Sequence, residues 1–140
     1  MNRLVLPLVC VSFLLASLPL QGAKQTPTFD LHGPTIFAFF PPVTEEELSQ
    51  DPDTNTVLDD FQFYAGKVRQ PLAKKGIEFR EVYARRFSIR SGKTVSTFTP
   101  RKIQVGYYFV APGKKPHIAY GVMTDADLLQ AADAYFSFPR

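Results

Sequence analysis

Thr35-Ile36-Phe37-Ala38-Phe39-Phe40 is bounded by Pro34 on one side and by Pro41-Pro42 on the other. Its residues do not alternate between apolar and polar, as those of a half-exposed strand would. A short, nearly continuous apolar run rich in aromatics suits a strand covered on both faces. It predicts the middle of a sheet, and the rest of the chain must then supply the layers that cover it.

Downstream, Thr44 followed by Glu45-Glu46-Glu47 has capping-box spacing. A threonine oxygen takes a free helix amide while the third glutamate reaches back to the cap, and the acids suit the positive end of the helix dipole. The chain breaks at Asp51-Pro52-Asp53 and restarts as a longer helix over Thr54 to Lys75, with Val57, Phe61, Tyr64, Val68 and Leu72 on one face. Pro71 should bend its last turn, Lys74 and Lys75 suit the negative end, and Gly76 terminates it. Ile77, Phe79 and Val82 open a strand whose aromatic and β-branched character continues through Phe87 and Ile89. Ser91-Gly92-Lys93 reads as a turn, with Thr94 to Phe98 returning.

The most distinct local unit is the last one. Val105 to Val110 is strand-like, Ala111-Pro112-Gly113 supplies a turn, and Ile118 to Val122 completes a hairpin. Thr124 then caps a helix with Asp127 three residues on, and Leu128, Leu129, Ala132, Tyr135 and Phe136 form its apolar stripe.

At the other end, Arg3 precedes an apolar stretch from Leu4 to Leu20 and a short exit at Gln21-Gly22-Ala23. This is the pattern of a cleaved export signal, with processing expected after Ala23. With Pro7, Ser12, Ser17 and Pro19 inside it, the run is shorter than the roughly 20 residues of a membrane span. The expected organisation is a signal peptide at 1–23, an extended lead-in at 24–34 and one domain at 35–140, located in the periplasm of a bacterium or secreted. Cys10 is the only cysteine of the chain and falls inside the signal. It follows Val9 rather than a small residue and lies too early for lipoprotein processing. The exported product therefore has no thiol, which excludes disulfides, thiolate catalysis and cysteine metal sites.

The element order and the ending Val105-Gly106-Tyr107-Tyr108-Phe109-Val110-Ala111-Pro112-Gly113, then Gly121, then a terminal amphipathic helix, resemble the thioredoxin-like superfamily over about Thr35 to Phe136. The resemblance implies an α/β fold with a central mixed sheet of four to five strands flanked by helices, closing with a β-hairpin and a C-terminal helix. It also implies a Cys-x-x-Cys motif directly after the central strand and a cis-proline just before the final hairpin. Here Pro41-Pro42-Val43-Thr44 holds the first place and Ile103-Gln104-Val105 the second, with Pro100 several residues too early. Both hallmarks are missing, so the resemblance carries the fold and argues against the redox activity.

Other chemistry fails on spacing. Gly92-Lys93-Thr94 lacks the earlier glycine of a phosphate loop, where Phe87 stands. His32 and His117 are isolated, so neither a metal nor another cofactor is expected. A Gly-x-Ser-x-Gly elbow is absent. Net charge is +3, with acids alone from Val43 to Asp60 and mostly bases from Lys67 to Lys102.

The expected function is that of a redox-inactive binding module for a protein or an extended peptide in the cell envelope, not an enzyme. Its candidate site residues are Pro42, Val43, Thr44, Arg85, Arg86, Ile103, Gln104 and Val105. An anionic group is a possible ligand, through one of Arg85 and Arg86, which a strand would send to opposite faces. Specific nucleic-acid recognition and membrane attachment after cleavage are not expected. Two alternatives stand beside this reading. One is a small-ligand protein or non-thiol enzyme placing Thr44, Tyr83 or His117 with an arginine in the same cleft. The other is a polyanion-binding envelope protein using Arg80 to Lys102.

Overall fold

The computed structural model describes residues 25–101 and 105–137; the predicted signal lies outside them. Strand β2 (Thr35–Phe40) is buried at all six positions and is the inner strand its composition predicts. It pairs in parallel with β3 (Glu78–Tyr83), from Thr35 opposite Glu78 to Phe40 opposite Tyr83. On its other side it runs antiparallel to β6 (Gly106–Val110), which forms the hairpin with β7 (His117–Tyr120). The result is a four-stranded mixed sheet in the order β3-β2-β6-β7.

Alternation along β2 assigns its side chains to two cores. Ile36, Ala38 and Phe40 face the helices, and Phe37 and Phe39 face the opposite side. Helix α1 (Glu45–Gln50) buries none of its residues and is held by its cap: Thr44 Oγ1 accepts from the Glu47 amide at 3.1 Å, and the Glu47 carboxylate accepts from the Thr44 amide at 2.7 Å. Helix α2 (Pro52–Lys74) starts two residues before Thr54, because Asp51 is its N-cap and Pro52 suits the first turn, where no amide is needed. It runs on through Pro71 and ends in a Schellman motif, with Gly76 at φ +73° and the Ile77 amide donating to Leu72 O.

The helical stripe is shifted from the predicted one. Phe61, Ala65, Val68 and Leu72 are buried, Tyr64 is half-buried, and Val57 remains 37 % exposed while its neighbour Leu58 packs against the core. Helix α3 (Asp125–Phe136), capped by Thr124 as its spacing predicts, adds Leu128, Ala132 and Phe136 to the same layer.

Helices cover only one face of this sheet. The expected strand running on from Phe79 to Ile89 breaks at Ala84–Arg86, and the chain passes beneath the sheet instead. There β4 (Phe87–Ser91) and β5 (Thr94–Phe98) form an antiparallel hairpin closed by Gly92 at φ +59°, as a two-residue loop requires. The lead-in contributes β1 (Thr28–Asp30), parallel to β4, so the small sheet has the order β1-β4-β5. Phe87 and Ile89 cover Phe37 and Phe39, helped by Phe29 and Phe98. The molecule is thus layered as helices, mixed sheet and small sheet, with the second layer of cover built from strands.

Candidate functional site

A cleft of about 550 Å³ opens beyond the C-terminal end of β2. Pro41, Pro42 and Val43 line one side as the chain leaves that strand. The start of the helical layer lines another through Glu47, Gln50, Asp51 and Thr54. Ala84 and Arg85 enter from the bend between the two sheets, and Thr99 and Pro100 from the end of β5. The cleft therefore lies where the mixed sheet, the helix N-termini and the small sheet meet. Ligand sites concentrate at the carboxyl ends of strands in such sheets, because diverging connections leave a crevice there.

Its charges are unequal in what they are free to do. The Glu47 carboxylate is held by the Thr44 amide and hydroxyl, which lower its pKa, and Arg85 adds a weaker attraction across the cleft. Asp51 is lowered by the Thr54 hydroxyl at 2.6 Å and amide at 3.3 Å, and by the Asp53 amide. Both carboxylates are thus occupied in capping helices. Arg85 makes no ion pair among the described residues, which leaves its guanidinium as the uncommitted charge of the cleft.

These depressed pKa values predict a pH response. A carboxyl lowered in the folded state contributes stability that is present above its unfolded pKa and lost as pH falls through the folded one. The Thr44 and Thr54 amide resonances, whose protons bond Glu47 and Asp51, should titrate with midpoints below the ordinary glutamate and aspartate values. Midpoints at the ordinary values would contradict the caps.

Of the residues singled out in the sequence, Pro42, Val43 and Arg85 line the cleft. Thr44 stands beside it with its hydroxyl and amide committed to Glu47. Arg86 is exposed and outside the lining. The two arginines sit in a bend, not on a strand, which is why the strand rule of opposite faces does not place them. Val105 is buried in the helix-side core and Val43 is packed against that same core, so each contributes to packing. Ile103 and Gln104 lie outside the described residues.

Tyr83 and His117 do not line the cleft. Tyr83 stacks near Phe40 and Phe61, receives Gln62 Nε2 on its hydroxyl, and has its pKa raised by burial. His117 stacks on Tyr135 near Phe109. The basic segment is dispersed as well, with Arg80 paired to Glu78 and Arg90 to Asp30.

Glu47, Gln50, Asp51, Thr54, Thr99 and Pro100 are lining residues that sequence reading did not place here. For Glu47, Asp51 and Thr54 the local role is helix capping, which describes their hydrogen bonds and conceals their position. All peptide bonds among the described residues are trans, Thr99–Pro100 included, so Pro100 contributes an apolar wall and no cis turn. Compared with family models, with curated proteins and with solved structures, the chain finds no match in any of the three.

Proposed function

We propose that this chain is an exported, redox-inactive thioredoxin-like domain that binds a protein through an extended segment seated in the cleft at the end of β2. The order β3-β2-β6-β7, one parallel pair followed by an antiparallel hairpin and a terminal helix, supports the thioredoxin-like reading. The β4–β5 hairpin stands where that reading expects a covering helix. Pro41, Pro42 and Val43 occupy the position a thiol pair would take, and no cysteine follows Cys10. The leader at 1–23 supports periplasmic or extracellular placement, and no helix among the described residues is long and apolar enough to cross a membrane.

One observation carries the binding reading: the cleft combines a proline-rich apolar wall with one uncommitted guanidinium and two carboxylates. A polyanion would meet two negative charges for each positive one. A peptide suits the mixture better, since its carbonyls accept from Arg85 while its apolar side chains contact Pro42, Val43 and Pro100.

Affinity capture from an envelope fraction, at low and high salt, tests this with Pro42→Asp and Arg85→Ala. Both positions are exposed, so melting temperatures should stay within about 4 °C of the parent, the shift of roughly 1 kcal/mol. The reading expects a defined protein retained at high salt and lost from both variants. Capture of many anions that salt abolishes would instead favour the polyanion function. A large fall in melting temperature would assign the residues to packing.

A further inference from the structure

The small sheet is one strand narrower than the sheet it covers, and the difference falls at one place. Arg80 lies over the Phe29 ring, Phe87 meets Phe37 and Phe39, and Phe98 meets Tyr108 at 4.6 Å. With Phe29 also against Phe37, Phe87 against Tyr108 and Phe98 against Phe39, β1 lies beneath β3 and β2, β4 beneath β2 and β6, and β5 beneath β2 and β6. Nothing in the small sheet lies beneath β7. Its residues on that face, Ile118 and Tyr120, are each 38 % exposed. At one end of this shelf the Arg101 amide donates to the Tyr120 hydroxyl, and among the described residues of the small sheet none is seated on Ile118.

The edge of β5 beside this shelf is able to pair. The Ser88 amide donates to Pro27 O and the Arg90 carbonyl accepts from the Leu31 amide, so these two residues of β4 direct their main chain toward β1. Ile89, between them, faces β5 and pairs with Ser96. The neighbouring positions Val95 and Thr97 then point their N–H and C=O groups away from β4, toward the open side. Thr94 to Phe98 has no proline, glycine or charge, the residues that proteins use to blunt such edges. By contrast, the outer strand β3 carries Glu78, Arg80 and Glu81.

We propose that the free edge of β5 takes an extended segment of a partner protein as a fourth strand of the small sheet, its apolar side chains lying against Ile118. An added strand sits about 4.8 Å beyond β5, which places it under β6 and β7. A second copy of this chain does not fit. Antiparallel pairing through its own β5 would bring its β6 over that strand, into the space that β7 already fills. The ends of β5 are basic, with Lys93 before it and Arg101 after it, so the segment is apolar at alternate positions and acidic at its ends. This inference rests on the edge and the shelf, and holds or fails apart from the cleft.

The test uses a fluorescein-labelled nonapeptide with valine at alternate positions, threonine between them and aspartate at both ends. Binding is followed by anisotropy, and protection by exchange of the Val95 and Thr97 amides. Val95→Pro removes one outward N–H that β4 does not use, whereas Val95→Ala keeps it. Proline should weaken binding about fivefold to tenfold, the loss of one main-chain hydrogen bond, and alanine less than about twofold. Ile118→Ser should weaken it about tenfold by removing the apolar shelf. Arg85→Ala should leave it unchanged, which separates this edge from the cleft. Absence of binding at millimolar peptide, equal losses from proline and alanine, or unprotected Val95 and Thr97 amides would overturn the proposal. So would a concentration-dependent dimer that Val95→Pro disperses, which would assign the edge to self-association.

Discussion

Phe87→Ala should remove a large share of the folding stability of this domain. Phe87 is fully buried, and its ring meets Phe29 at 6.2 Å, Phe37 at 5.3 Å, Phe39 at 6.4 Å, Phe98 at 5.3 Å and Tyr108 at 5.9 Å. Those five rings come from β1, β2, β5 and β6, so this side chain sits at the centre of the contact between the sheets, flanked by the direct Phe29–Phe37, Phe39–Phe98 and Phe98–Tyr108 pairs. Truncating a buried phenylalanine costs about 3–5 kcal/mol, and each lost aromatic pair adds a fraction to that. A domain of this size holds roughly 5–15 kcal/mol in total.

Urea denaturation should therefore show a midpoint lowered by about a third or more at a mid-range stability, with Phe87→Leu recovering most of the loss because it refills the volume. Native-state amide exchange gives the sharper readout. The amides of β1 and β4 should lose protection before those of β2, which keeps its helix-side core of Phe61, Leu72 and Leu128. A loss below about 1.5 kcal/mol, or uniform deprotection across both sheets, would show that the small sheet has another anchor.

What the sequence made legible here is what local chemistry determines. The two helix caps, the glycine-closed turns and the burial of Thr35–Phe40 each depend on residues within a few positions of one another, and each was readable. The small sheet depends on distant ones. Strand β1 has only three residues and no period to detect, and its partner Ser88 lies sixty positions from Thr28. The break at Ala84-Arg85-Arg86 contains neither glycine nor proline, so nothing local announces that the chain leaves one sheet for the other. An aromatic-rich segment after Phe79 looks the same whether it prolongs a strand or folds beneath it. The cleft divides along the same line. Pro41-Pro42-Val43 was readable from its place after the central strand, whereas Pro100 reaches the cleft only because β5 ends there.

Gly106→Ala should destabilise the domain by about 2–3 kcal/mol, the upper range for overpacking, although it adds one methyl group. Gly106 opens β6 and pairs with Phe39 on one side and Tyr120 on the other. A Cβ built there would lie 2.5 Å from the Ala119 carbonyl oxygen, 2.8 Å from the Phe39 ring and 3.1 Å from the Tyr120 Cα. Two of those three neighbours are backbone, so rotating a side chain cannot relieve the contact. The alternative is to part β6 from β7, which breaks hairpin hydrogen bonds and disturbs the Phe39–Tyr120 ring pair at 5.9 Å. The bare backbone at Gly106 is what lets the two rings meet across it.

Gly66 supplies the control, because it lies on the exposed side of α2 with nothing within 4 Å of an added Cβ. Gly66→Ala should stabilise by about 0.5–1 kcal/mol through helix propensity and reduced unfolded-chain entropy. The same chemical change thus carries opposite signs at two positions. At about 4 °C per kcal/mol, thermal melts of the two variants should separate by roughly 10 °C or more. Melts within a few degrees of each other would mean that β6 and β7 yield easily at Gly106, and that the close approach of Phe39 and Tyr120 does not constrain the sheet.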